Sequence, residues 1–102
     1  MTYVVKPEKQ AEFQEFGKKW NEWKKKRPDL FKEVKSWKLF AQLLGGVVGG
    51  YVEMWEFRTM ADAEKSMNKL RQDKQFTTQQ YSAFLALLVP GTYSMNVWNS
   101  VA

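Results

Sequence analysis

Residues 49–70, GGYVEMWEFRTMADAEKSMNKL, constrain the fold more than any other stretch, because they read as one strand followed at once by one helix. Tyr51, Glu53, Trp55 and Phe57 alternate with Val52, Met54 and Glu56, so the segment has period two. Both alternating sets carry apolar residues, so neither face of the strand is simply wet. Thr59 stands where an N-cap belongs, and Asp62 three residues on is placed to bond back to it. Ala63, Met67 and Leu70 follow at helical spacing.

The flanking sequence extends this unit in both directions. Residues 2–6, TYVVK, read as a strand, and Pro7 ends it and opens a helix. On that helix Phe13, Phe16, Trp20 and Trp23 form a single apolar stripe, and Pro28 closes it. Residues 33–44 form a second strand, with Val34, Ser36, Lys38, Phe40, Gln42 and Leu44 on one face. The glycine-rich segment 45–50 is a turn between antiparallel strands, not a phosphate loop, because a strand rather than a helix follows it. Thr77 or Thr78 caps a further helix carrying Tyr81, Phe84, Leu85, Leu87 and Leu88, and Pro90-Gly91 ends that helix. Residues 92–99 are the last strand.

The order is β-α-β-β-α-β over a single domain, residues 1–102, which predicts an α+β, ferredoxin-like, four-stranded antiparallel sheet with both helices on one face. If Val52 and Met54 face the helices, the free face carries Tyr51, Glu53, Trp55 and Phe57, joined by Phe40, Leu44 and Trp98. Such a set exceeds the roughly 300–600 Å² of apolar patch that monomers leave open. A homodimer is therefore expected, with Phe40, Tyr51 and Phe57 in its interface.

Composition narrows the chemistry. There is no cysteine and no histidine, which removes disulfides, thiolate nucleophiles, the usual metal clusters and the Ser-His pairs of hydrolases. No metal site is expected. The cysteine-free chain fits a cytoplasmic protein, the start lacks the apolar run of a signal peptide, and no segment has the length of a membrane span. The net charge of +5 is concentrated before Phe40, in Lys18, Lys19, Lys24, Lys25, Lys26 and Arg27. That run is read as a solvated helix end, with an acidic or nucleic-acid partner as the alternative.

The strand 51–57, the helix 60–70, the second aromatic-aliphatic helix, Pro90-Gly91 and the closing strand together resemble antibiotic biosynthesis monooxygenase-like proteins of the dimeric α/β-barrel superfamily. The resemblance implies two ferredoxin-like subunits paired sheet to sheet, each with a ligand cavity. Members of that family include cofactor-independent monooxygenases of aromatic polyketides and haem-degrading enzymes. Trp55 matches the position of the tryptophan in the haem degraders. The place of their axial histidine falls near Lys65, so no haem and no other cofactor is expected.

The expected function is small-molecule binding, with cofactor-independent oxidation of an aromatic or apolar metabolite as one reading. A non-catalytic homodimeric binding or scaffold protein is the second. An RNA-recognition domain shares the element order but is disfavoured, since Glu53 stands where a stacking ring is wanted and would repel phosphate. Strand parity groups Lys38, Glu53, Trp55, Asn96 and Trp98 around one cavity. Glu53 is its acid/base group, and the other four bind the ligand. The plainer reading of Glu53 and Lys38 is an ion pair on a rim.

Overall fold

Period-two patterning around residues 51–57 produces the central strand of the sheet, and the rest of the molecule packs on it. The computed structural model describes residues 1–43, 45, 49–99 and 101. In it β1 (Thr2–Val4), β2 (Val34–Ala41) and β3 (Gly50–Phe57) form an antiparallel sheet in the order β1-β3-β2. Between β1 and β2 lies α1 (Gln10–Lys26), entered through a 3₁₀ turn at Pro7–Lys9 and left through another at Pro28–Leu30. Following β3 are α2 (Met60–Gln72) and a π turn, Phe76–Gln80, that runs into α3 (Tyr81–Ala86). Leu44 and residues 46–48 of the expected glycine turn lie outside the described residues. Gly49 shows why that turn needs glycine: its φ is +86°, and a Cβ there would sit 3.1 Å from the Val5 carbonyl oxygen.

Among the described residues the sheet has three strands, and this overturns the four-stranded ferredoxin-like fold. Among the described residues the expected last strand forms a single backbone bridge to the sheet, at Ser94, which exchanges two 2.8 Å hydrogen bonds with Thr2, while Thr92 Oγ accepts the Val4 N–H at 3.1 Å. Asn96 and Trp98 pair with no strand among the described residues, and Trp98 is 86% exposed. A dimeric α/β barrel is built from four-stranded sheets and does not fit this chain.

Parity is also the reverse of the expectation. Tyr51, Glu53, Trp55 and Phe57 lie on the helix-covered face and are partly buried, whereas Val52, Met54 and Glu56 are exposed. The aromatic stripe of α1 supplies the reason. Rings bury more apolar surface than Val or Met, and those of β3 find matching rings above them. Tyr51 lies 4.7 Å from Phe13, and Trp55 lies 6.3 Å from Trp20 (centroid to centroid). Two clusters result. One gathers Tyr3, Val5, Phe13, Leu87 and Leu88. The other gathers Trp20, Trp23, Leu30 and Leu70, and Phe16 packs against both. Of the residues expected in a dimer interface, Tyr51 and Phe57 are on the covered face, and Phe40 alone is on the open one.

The caps divide similarly. Thr59 Oγ accepts the Asp62 backbone N–H at 3.1 Å, as the sequence implies. Thr77 and Thr78 do not cap; their hydroxyls donate back to the carbonyls of Asp73 and Lys74. The cap of that helical run is Asp73, whose Oδ1 accepts the Phe76 N–H at 2.9 Å while its Oδ2 accepts from Arg27 at 2.5 Å. Hydrogen bonding to Arg27, outweighing burial, holds the Asp73 carboxyl below its ordinary range. A folded value below the unfolded one means that this stabilisation is present above the unfolded value, about pH 4, and is lost as pH falls through the folded value. Asp73→Ala is expected to cost about 1–2 kcal/mol at pH 7 from the cap alone. In urea melts the gap between variant and wild type should narrow steadily below about pH 4; a gap independent of pH would show that the ion pair contributes nothing.

Candidate ligand cleft

β2 and β3 pair in a register that places Trp37 directly opposite Trp55. Both indoles thus lie on the face turned to α1. The last turns of α1 overhang the β2 side of the sheet without covering it fully, because β2 is an edge strand. The space left between them is an open cleft of about 530 Å³, lined by Asn21, Lys24, Lys25, Phe31, Val34, Ser36, Trp37 and Trp55. A second cleft of about 420 Å³ lies near Gly49 and Gly50. Two of its polar residues already pair: the Tyr51 hydroxyl donates to Gln10, whose side-chain amide donates to the Val5 carbonyl.

Lys24 leaves α1 one position after Trp23 and four after Trp20, on the border of the aromatic stripe. Its Nζ stands 4.1 Å from the Trp37 ring centroid and 5.7 Å from that of Trp20. Burial lowers its pKa, and the charge of Glu53 acts in the opposite sense. Glu53 itself is a shared acceptor. Its Oε1 accepts from the Tyr3 hydroxyl at 2.9 Å and its Oε2 from the Trp55 Nε1–H at 2.5 Å. Burial foremost, and then the Glu53 charge, push the Tyr3 phenol far above its ordinary value, so it remains a donor.

Glu53 and Trp55 are thus brought together, and the other expected site residues are elsewhere. Lys38 is opposite Met54 on the uncovered face, so it neither joins the cavity nor pairs with Glu53. Asn96 and Trp98 are exposed beyond Ser94. Lys24, Trp37, Phe31 and Tyr3 are the residues that sequence reading missed. For Lys24 the signal was present in its spacing from Trp20, but the basic run 24–27 reads more simply as a solvated helix end. For Trp37 the lost signal is register: moving the β2–β3 pairing by one residue exchanges the faces.

Among the described residues no group of three or more His, Cys, Asp or Glu could hold a metal ion, and no helix is long and apolar enough to cross a membrane. No family model matches the chain, and neither a curated protein nor a solved structure matches it.

Proposed function

We propose that the chain binds a small aromatic or apolar molecule in the cleft between α1 and the β2–β3 pair, as a binding protein without turnover. The observation that carries this reading is the Trp37–Trp55 pair, directly opposite each other on β2 and β3 and both in the wall of one open space. A volume of about 530 Å³ lies within the roughly 300–1,000 Å³ of ordinary ligand sites, which combine apolar walls with a few polar groups. Monooxygenase chemistry would ask Glu53 to take a proton from the ligand. Both its oxygens already accept hydrogen bonds from Tyr3 and Trp55, which supports binding over catalysis. The cysteine-free composition supports a cytoplasmic setting for this role. Calorimetric titration with naphthalene-sized aromatic probes should show saturable binding, abolished by Trp37→Ala. Heats that never saturate would overturn the proposal.

A second observation supports self-association as part of the same role. The face of the sheet away from the helices exposes Phe40 (51%), Met54 (56%) and Val52 (39%), with Phe40 and Val52 directly opposite each other. Neighbouring exposed apolar side chains of this kind mark interaction surfaces. Light scattering at micromolar concentration is expected to give twice the 12.0 kDa chain mass, and Met54→Lys should return it to 12.0 kDa. A wild-type chain that stays at the single mass would remove self-association from the reading.

A further inference from the structure

The cleft offers hydrogen-bond donors in excess of acceptors. Lys24 Nζ is half-buried over Trp37, and among the described residues no carboxylate oxygen lies within ion-pair distance of it, although lysines 9, 18, 35, 65 and 69 each have such a partner. Trp37 Nε1 is buried and, among the described residues, has no acceptor. Lys25 adds a second positive charge to the lining, and among the described residues no acidic one contributes to it. Glu53, the carboxylate whose charge acts on Lys24, is held by Tyr3 and Trp55. A desolvated donor without an acceptor is costly, and Lys24 meets the Glu53 charge only from beyond ion-pair contact. The missing partner is an anionic acceptor, and the walls around it are aromatic.

We infer that the ligand of this cleft is a planar aromatic carboxylate, its ring against Trp37, Trp55 and Phe31 and its carboxylate accepting from Lys24 Nζ and, as the indole turns its buried edge toward the ligand, from the Trp37 Nε1–H. The inference rests on the binding reading above and adds the charge of the ligand to it. Carboxylate oxygens suit the two donors because a charge-assisted bond to an ammonium is the stronger kind, and one carboxylate serves two donors at once. A neutral ring of the same shape would fill the space and leave both donors unmet.

The test uses the intact chain and two probes of equal size, 2-naphthoate and the neutral 2-naphthalenemethanol. Naphthoate is expected to bind about tenfold or more tightly than the alcohol, the discrimination that a charged hydrogen bond supplies. In ¹H–¹⁵N spectra the Trp37 indole N–H should move downfield with naphthoate and not with the alcohol. Lys24→Met keeps the apolar stem and should erase the preference while the alcohol still binds. Lys19→Met, on an exposed position of the same helix, should leave the preference intact. Equal affinity for the two probes, an unmoved Trp37 signal, or a preference that survives Lys24→Met would each overturn the inference and leave the binding reading standing. Failure of both probes to bind would remove that reading as well.

Discussion

Trp20→Ala is expected to lower the stability of the fold by about 3–5 kcal/mol, the range for truncating a large buried aromatic. Trp20 is 8% exposed and occupies the middle of the aromatic stripe on α1. Its ring stacks on Trp23 at 5.5 Å and meets Phe31 edge-on at 5.6 Å. It also approaches Phe76 at 6.1 Å and Trp55 at 6.3 Å. These partners come from α1, the segment before β2, β3 and the π turn, so one side chain links four parts of the chain. Aromatic pairs add about 0.5–1.5 kcal/mol each beyond burial. Small-to-medium domains are held by only about 5–15 kcal/mol in all, so the variant would approach the unfolding threshold. Urea denaturation followed by far-UV circular dichroism measures this directly, with the slope checked for a change in two-state behaviour. Trp20→Phe retains a ring and should cost clearly less. A loss below about 1 kcal/mol for Trp20→Ala would match an ordinary substitution and show that this cluster is not the core.

What the sequence made legible is what short-range physics determines. The aromatic stripe of α1, the period-two strand ending at Phe57 and the Thr59 cap each depend on residues within a few positions of one another, and each is present. What stayed hidden depends on distant partners. Period two separates Tyr51, Trp55 and Phe57 from Val52 and Met54, but it does not say which set faces inward when both are apolar. The rings of α1 decide that. Thr77 and Thr78 are good caps in isolation, yet Asp73 caps the run because Arg27, 46 residues away in sequence, holds its carboxylate in place. Residues 92–99 have strand-like composition, yet among the described residues they bridge the sheet at Ser94 and leave Asn96 and Trp98 without a strand partner. The predicted site failed for the same reason. Its five residues were grouped by parity, and parity is worth nothing without register. Glu53 and Trp55 stayed together because they are two apart on one strand.

Glu53→Ala is expected to cost about 2–4 kcal/mol, because it strips the acceptor from two donors at once, each left unsatisfied at about 1–3 kcal/mol. Tyr3 is 2% exposed, so its hydroxyl has little recourse to water, and the Trp55 indole N–H faces the same interior. Glu53→Gln should fall between wild type and Glu53→Ala. Its amide oxygen can accept from one donor, but its NH₂ then confronts the other. The charge has a second consequence. Glu53 raises the pKa of Lys24 against the lowering effect of burial, so removing it should make the Lys24 ammonium easier to deprotonate. At alkaline pH the tyrosines supply an independent check. Tyr3 and Tyr93 have folded values raised above the unfolded value of about 10. The stabilisation from keeping them protonated is present below that value and is lost as pH rises above it, since the unfolded chain ionises first. Burial is the largest cause for Tyr3, so the alkaline loss should persist in Glu53→Gln with a smaller amplitude. Urea midpoints at pH 7 and at about pH 11 for wild type, Glu53→Gln and Glu53→Ala measure both effects. If Glu53→Ala matches wild type at neutral pH, the carboxylate is not the acceptor that holds Tyr3 and Trp55. It would then be free to act on a bound molecule, and the case for binding without turnover would lose its chemical basis.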